Sequence, residues 1–171
     1  MITEIAEAKE VYLERIYQLI NKTNQFNLTT KRYTKSEVEE IYKDPNQILL
    51  YGKLKDKFGD NGLISIIIAE QKGKMLEIPL WIMSCRVLKR DMEIAMLNEL
   101  VNLAKKRGIE KLIGTYIPSK KNSMVKDHYK NLGFKFEKEE ISIYFKKYYY
   151  VLHSFEKLFM FATRNHKINM K

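Results

Sequence analysis

The stretch NSMVKDHYKNLGF, residues 122–134, predicts a short helix, the end of that helix and the start of a strand. We expect the helix over 123–133, because Gly133 is placed to adopt the left-handed backbone conformation that ends many helices. The following residues, FKFEKE (134–139), alternate in the manner of a strand. Since a glycine between a helix and a strand is common, the stretch has to be interpreted together with the segments around it.

Periodic segments before and after this stretch predict one mixed domain. Helices are predicted where apolar residues recur every three or four positions, and strands where β-branched and apolar residues run together. In chain order these are helices at 4–21 and 36–44, strands at 47–55, 63–70 and 75–87, a helix at 91–107, a strand at 110–117, the helix at 123–133, and strands at 134–139 and 141–147. The order predicts an α/β (α+β) domain at 1–147, followed by an aromatic and basic extension at 148–171 that a further helix would suit.

Local signals refine these elements. Thr34 and Glu37 have the spacing of a capping box at the start of the second helix. Pro79, inside a long apolar run, indicates either a bulge or an edge strand, because proline cannot donate a ladder hydrogen bond. Asp91 is placed to cap the following helix with its carboxylate, and Gly108 to close the other end of that helix.

Composition is typical of a globular protein of a reducing compartment. The 171 residues suit one domain, and the single cysteine excludes an internal disulfide framework. No signal peptide is visible, and the longest apolar runs (63–69 and 78–83) are too short to span a bilayer, so we expect a cytoplasmic protein. The net charge of +10 favours anionic partners such as nucleotides or an acidic carrier protein, although a solubilising surface would give the same charge.

The segment HYKNLGF (128–134), with AKKRGIEKL (104–112) before it, resembles the corresponding part of the N-acetyltransferase (GNAT) fold. The resemblance implies a central, mixed but mostly antiparallel sheet flanked by helices. It also implies a donor site built from a central strand, a pyrophosphate-binding loop and the helix that follows. In this chain the loop corresponds to SCRVLKRDME (84–93).

Four separated segments together resemble the C-terminal half of FkbH-like proteins, in which a HAD-type phosphatase half is joined to a GNAT-like half. They are, in order, QLINKTNQFNLTTKRYT (18–34), DKFGDNGLI (56–64), SCRVLKR (84–90) and NSMVKDHYKNLGF (122–134). The family is associated with loading a three-carbon glyceryl unit onto an acyl carrier protein for polyketide and related pathways. No phosphatase loop of the Asp-x-Asp-x-Thr type occurs in this sequence, so the resemblance implies acyltransferase chemistry only.

The predicted donor loop departs from the family pattern, because Lys89 and Asp91 stand where the family has glycines. Glycines let a backbone approach phosphates closely, so their loss argues against ordinary coenzyme A binding, although basic side chains offer a substitute contact. Alternatively, the donor is a phosphopantetheine arm on an acidic acyl carrier protein, which lacks the adenosine and the pyrophosphate. The candidate donor-binding residues are Arg86, Val87, Leu88, Lys89, Arg90 and Asn122.

Three residues are candidates for catalysis. The resemblance implies that Tyr129 protonates the leaving thiolate, with a packing role as the alternative. Cys85 lies beside basic residues and is either an acyl-carrying nucleophile or a small core residue. Glu77 is either a general base for the acceptor or the solvated end of a strand. Asn122, for its part, would contact the pantetheine arm or cap its helix.

An amide-rich segment supplies the candidate acceptor site. Asn24, Gln25 and Asn27 either line a pocket or brace loops, because buried amides need hydrogen-bond partners. The histidines are scattered and no residues have the spacing of metal ligands, so we expect no metal site.

These features lead to two hypotheses of function. The first is an acyltransferase that moves an acyl group from a coenzyme A or carrier-protein thioester to a small-molecule acceptor. The second is a catalytically silent module that docks an acyl carrier protein or a separate HAD-type partner. The extension at 148–171 favours a protein partner or an oligomer contact over a membrane or nucleic acid.

Overall fold

The computed structural model describes residues 2–23, 25–56, 59–84, 91–140 and 145–152. Its strands are β1 (Ile2–Glu7), β2 (Gln47–Asp56), β3 (Gly59–Lys72), β4 (Met75–Met83), β5 (Lys111–Tyr116), β6 (Lys135–Glu140) and β7 (Phe145–Val151). Its helices are α1 (Leu13–Lys22), α2 (Lys35–Lys43), α3 (Met92–Lys106) and α4 (His128–Asn131), with 3₁₀ turns at Glu10–Tyr12 and Ser123–Val125. The strands form one seven-stranded sheet in the order β1-β2-β3-β4-β5-β7-β6, and only the β4–β5 pair is parallel.

Helices cover both faces of this sheet. On one face α1 and α2 bury residues such as Ile16 and Val38 against β2, β3 and β4. On the other face α3 buries residues such as Leu97 and Leu100 in a second, larger core. Burying one such side chain contributes about 1.5–3 kcal/mol of transfer free energy, so the two cores together fix the central strands.

The helix predicted over 4–21 is wrong in its first part. Ile2–Glu7 form β1, which pairs with β2, and α1 begins only at Leu13. The spacing of Ile5 and Ala8 is compatible with a helix, but β2 offers the backbone a ladder of hydrogen bonds on its open edge. That tertiary pairing outweighs the local pattern.

The predicted helix ends are confirmed at α2 and at the end of α3. Glu37 N donates to Thr34 Oγ1 over 3.2 Å and Thr34 N donates to Glu37 Oε2 over 2.6 Å, which completes the capping box. Gly108 follows α3 with φ +69°. The expectation that Asp91 caps α3 with its carboxylate is wrong, since no side-chain cap bond forms. Its φ of +58° departs from the extended backbone that a capping side chain needs.

Two predicted bounds near the end of the chain also change. The helix expected over 123–133 is reduced to a 3₁₀ turn and α4, although Gly133 has the expected positive φ of 84°. β7 continues to Val151, so it crosses the boundary predicted between residues 147 and 148. Tyr148 and Tyr150 join the core beneath the sheet, which explains why the strand extends so far. The remainder of the predicted extension, from residue 153, lies outside the described residues.

β4 and β5 pair only over their first halves. Met75–Ile78 lie opposite Lys111–Gly114, and the described strands show no β4–β5 pairing beyond them. A shift in the β3–β4 register leaves one extra residue on β4 near Pro79. The predicted bulge is therefore confirmed, and the edge-strand alternative is wrong because β4 lies inside the sheet. Beyond the bulge the two strands diverge, and we call the space between them the β4–β5 gap.

Candidate functional site

The β4–β5 gap is filled by the chain's own residues Phe26–Thr29, which we call the gap segment. Leu28 N donates to Trp81 O over 3.2 Å, and Met83 N donates to the segment's first carbonyl oxygen over 3.1 Å. On the opposite side Ile117 N donates to Leu28 O over 2.8 Å. The segment runs antiparallel to β4 and takes the place of a strand between β4 and β5.

Two buried asparagines hold the gap segment in place. Asn27 Oδ1 accepts from Thr29 N at 3.3 Å and from Thr30 N at 2.9 Å. Asn122 Nδ2 donates to Asn27 O over 2.8 Å and to a second carbonyl just after β5 over 2.9 Å. Asn122 Oδ1 accepts from Ser119 N over 2.7 Å. Asn27 thus acts as a brace, and Asn122 joins two loops without making a side-chain cap bond.

Threonines complete the attachment. Thr29 Oγ1 donates to Pro79 O over 2.7 Å, so the backbone groups of β4 that face the gap at Pro79, Trp81 and Met83 all have partners in the gap segment. Thr30 follows with φ +58°, which is unusual for a β-branched residue. The gap segment is therefore bound by several hydrogen bonds, and the residue that follows it, Thr30, has a strained backbone conformation.

Tyr129 lies beside the point where β4 and β5 separate. Its ring covers Gly114, where an added Cβ would lie only 2.3 Å from Tyr129 Cε1. The residue is 1% exposed, and burial raises the pKa of the phenol above its ordinary value, partly opposed by the backbone of Thr115. Among the described residues no partner meets the hydroxyl with full hydrogen-bond geometry. Tyr129 is therefore a protonated phenol held at the gap.

Trp81 and His128 form an aromatic cluster with Tyr129. The His128 ring centroid lies 4.4 Å from that of Trp81 and 5.4 Å from that of Tyr129. Trp81 Nε1 and His128 Nε2 are buried and have no hydrogen-bond partner in the described part of the chain. Burial lowers the pKa of His128 to about 3, so the imidazole is neutral at pH 7. Buried polar atoms are rarely left unpaired, and several together indicate a place where a ligand or water binds.

Glu77 borders a cavity of about 330 Å³ beside the gap, whose lining includes Pro79 and Thr115. Its carboxylate lies 2.8 Å from Lys72 Nζ and 3.9 Å from Lys147 Nζ. The side chain is therefore held by ion pairs at the rim of a cavity, which places it within reach of a molecule bound there.

A larger cavity of about 800 Å³ lies at the carboxyl end of β4. Gln25 lines it, and so does Phe26, the first residue of the gap segment. We call it the basic cavity, because its lining includes Arg15, Lys22, Lys120 and Lys121. Of the two predicted acceptor-site amides that the structure describes, Gln25 lines a cavity, whereas Asn27 is engaged within the gap segment.

Some predicted site residues fall outside the described residues, and their roles stay predictions. They are Asn24, Cys85, Arg86, Val87, Leu88, Lys89 and Arg90. Sequence reasoning missed Trp81, His128 and Gly114 as parts of the site. Pro79 signalled the bulge that opens the gap, but no local pattern signalled the segment that fills it. The described residues contain no cluster of three or more His, Cys, Asp or Glu suited to a metal, and none of their helices has the length and apolar character needed to span a bilayer.

The chain is similar to many solved structures, although no protein-family model and no curated protein matches it. The GNAT domain of S. lividans PAT aligns with a TM-score of 0.69 at 12% identity, covering 87% of this chain and 90% of that domain. The ribosomal-protein-S18-alanine N-acetyltransferase from Escherichia coli aligns with a TM-score of 0.66 at 11% identity, covering 88% and 94%.

An aminoglycoside 6'-N-acetyltransferase complexed with coenzyme A gives a TM-score of 0.65 at 14% identity, covering 87% of this chain and 97% of that one. At these identities the likeness establishes the fold alone. The chain therefore has the GNAT acetyltransferase fold, with the mixed, mostly antiparallel sheet flanked by helices that the resemblance implied. The sheet has a seventh strand, β1, that the sequence did not predict.

Proposed function

We propose that this domain is an acyltransferase that takes an acyl group from a thioester, with Tyr129 at the leaving sulfur. The observation that carries the proposal is the buried Tyr129 hydroxyl, which has no full partner among the described residues and lies where β4 and β5 separate. The GNAT fold supports it, and one similar structure is complexed with coenzyme A, which supports a coenzyme A thioester as the donor.

For acyl transfer, the protein has to position the thioester and the acceptor and to stabilise the charge that develops on the leaving sulfur. A bond forms between the acyl carbon and the acceptor, the C–S bond breaks, and the sulfur leaves with negative charge. Burial raises the pKa of Tyr129 above that of an ordinary thiol, so complete proton transfer to the sulfur is uphill in the closed site. Tyr129 would therefore stabilise the thiolate chiefly by donating a hydrogen bond. Glu77 lines the separate cavity of about 330 Å³, and it would act as the base only for an acceptor that extends into that cavity.

The donor would have to replace the gap segment. An extended arm that carries amide groups would seek the same backbone partners at Pro79, Trp81 and Met83 that the segment now uses. We infer that the segment gives way when a donor binds. The conformation of Thr30 supports such an exchange, because a non-glycine residue in this region stores about 1–3 kcal/mol of strain that departure of the segment would release.

The resemblance to FkbH-like proteins supports a more specific version, in which the acyl group is a glyceryl unit and the donor is an acyl carrier protein of a polyketide-type pathway. Coenzyme A and a charged carrier protein share the phosphopantetheine arm, which is the part that the gap would hold. The net charge of +10 favours an acidic carrier as the partner.

An assay of free-thiol release tests the proposal. The donor is acetyl-coenzyme A or a charged carrier protein, and the acceptors are a panel of amines and alcohols. We expect Tyr129→Phe to lower kcat by about 10²-fold with little change in KM, because only the hydroxyl is lost. The phenyl ring still covers Gly114, so the fold is retained. An unchanged kcat would remove Tyr129 from the mechanism, and absence of turnover with every donor would contradict acyl transfer.

The filled gap favours a second function, a silent GNAT-like module that docks a carrier protein or a HAD-type partner. In that case the gap segment is permanent and no donor enters. Calorimetry separates the two functions: binding of a carrier protein without any binding of acetyl-coenzyme A, and without turnover, would favour the silent module.

A further inference from the structure

The basic cavity has a strongly one-sided charge. Arg15 and Lys22 reach it from α1, while Lys120 and Lys121 reach it from the loop after β5. Among the described residues that line it there is no aspartate or glutamate. Like charges collected from separate elements around one concave surface produce a positive potential that attracts an anion.

Part of the remaining lining is apolar. Leu19, Phe26, Leu63, Ile64 and Met83 lie beside the polar residues Thr23, Gln25, Asn61 and Ser84, and each of the five is at most 9% exposed. A volume of about 800 Å³ is in the usual range for a small-molecule site, roughly 300–1,000 Å³, and far exceeds what a bare inorganic anion needs. The cavity therefore suits a molecule with an anionic head and an apolar part.

We propose that the basic cavity binds the acyl acceptor, and that this acceptor carries a phosphate or carboxylate on an apolar body. The inference rests on the proposed acyltransferase function, which it deepens by naming the class of acceptor. Arg15 from α1 and Lys121 from the loop after β5 hold the anion, and the apolar part of the lining holds the rest of the molecule.

The position of the cavity assigns it to the acceptor. Most of its lining comes from α1, the chain that follows it and the start of β3, whereas Tyr129 lies on α4. Phe26 connects the two regions, because it lines the cavity and its ring centroid lies 5.0 Å from that of His128, the neighbour of Tyr129 in α4. An acceptor in the cavity would therefore lie at the carboxyl end of β4, next to the first residue of the gap segment. The donor's own phosphates are the alternative source of an anion.

Calorimetric titration with phenyl phosphate tests the anion site. Two control ligands carry the same phenyl ring without the negative charge: benzyl alcohol is neutral and phenyltrimethylammonium is cationic. We expect phenyl phosphate to bind at least tenfold more tightly than either, and more weakly as salt is added. The double variant Arg15→Glu/Lys121→Glu should lose at least tenfold in affinity. The control Lys43→Glu/Lys135→Glu has the same net charge with both changes elsewhere, and it should stay within twofold of the parent. Equal loss in both variants, or equal binding of all three probes, would overturn the proposal.

A competition arm distinguishes the two sources of the anion. Phenyl phosphate that stays bound in the presence of excess desulfo-coenzyme A supports the acceptor assignment. Competitive displacement would overturn it and give the cavity to the donor's phosphates. Because these titrations measure binding alone, they can also be run with Tyr129→Phe. If phenyl phosphate binds but no donor is turned over, the proposed reaction is contradicted and the anion site stands. If turnover is observed but phenyl phosphate does not bind, only the proposal that the acceptor is anionic is contradicted.

Discussion

On the side away from β3, the two halves of β4 have different partners. From Met75 to Ile78 the strand pairs directly with β5, whereas from Pro79 to Met83 it pairs with the gap segment, which comes from a distant part of the chain. The first half is continuous sheet and gives the fold its rigidity. The second half keeps its pairing with β3, but on the side of the gap it is held by a few backbone bonds and by the amides of Asn27 and Asn122. The comparison supports our proposal that the second half is where the sheet exchanges the gap segment for a ligand.

The largest effect is expected at the junction of the two halves. Gly114→Ala would place a Cβ 2.3 Å from Tyr129 Cε1 and force the ring out of its site, which should cost about 3 kcal/mol or more of unfolding free energy. Gly73→Ala is the control, because its positive φ carries a cost but no atom lies within 4 Å of the added Cβ. We expect about 1 kcal/mol there. Urea unfolding measures both, and similar costs would contradict the tight packing of Tyr129 on Gly114.

Removing the amide brace should loosen only the filled half. Asn122→Ala deletes both donors and the acceptor that tie Asn27 to the loop after β5, at a cost of about 2–3 kcal/mol. Amide hydrogen exchange should accelerate about tenfold or more at Leu28 and Met83 and change little over Met75–Ile78. The control is Asn131→Ala, at an exposed position at the end of α4. Uniform acceleration along β4 would show that the two halves are not separable.

A smaller effect is expected from acidification, through His128 beneath the filled half. Burial lowers its pKa to about 3, whereas in the unfolded chain it is about 6.5. Between these values the unfolded state binds a proton that the folded state excludes, so stability falls as pH decreases from about 6.5 towards 3. The slope is at most about 1.4 kcal/mol per pH unit.

Comparison of unfolding free energies at pH 7 and pH 5 isolates this contribution. His128→Gln removes the titrating group and should show a shallower dependence on pH than the parent. His153 and His166 are present in both proteins and cancel in the difference. Identical slopes would mean that His128 takes up a proton in the folded state as readily as in water.

The smallest effect is expected at the bulge itself. Pro79→Ala should cost no more than about 1 kcal/mol, because the bulge already accommodates a residue without a ladder bond and alanine mainly makes the unfolded chain more flexible. Pro118→Ala, in the loop after β5, is the matched substitution outside the sheet. A loss of several kcal/mol at Pro79 alone would mean that proline, and not the surrounding register, creates the bulge.

Local patterns in the sequence predicted most of the elements, because hydrophobic period, turn residues and caps act over short distances. The capping box at Thr34 and the bulge at Pro79 are of this kind. The error at β1 arose because pairing with β2 is a long-range event that helical spacing does not reveal. The predicted strand at 141–147 ended too early for the same reason, since β7 extends to Val151 by pairing with β5.

The site was less predictable than the fold. The position of Tyr129 came from a resemblance, but its packing on Gly114 follows from contacts between separate elements. The filled gap depends on a hydrogen bond from the Asn122 side chain to the backbone of Asn27, and these residues are 95 positions apart. It also depends on the directions of backbone N–H and C=O groups, which the pattern of side chains does not predict. The sequence singled out both asparagines as polar residues needing an explanation, and only the fold relates them to one another.

The measurement that tests the central claim most directly is amide hydrogen exchange at Leu28, Met83 and Ile117, with and without saturating desulfo-coenzyme A. Without ligand, all three amides should be protected like those of a strand, because each donates to a backbone carbonyl across the filled gap. With ligand, the account predicts that Leu28 and Ile117 lose protection as the gap segment leaves, while Met75–Ile78 stay unchanged. Ligand binding that leaves Leu28 and Ile117 fully protected would contradict the exchange of partners along β4.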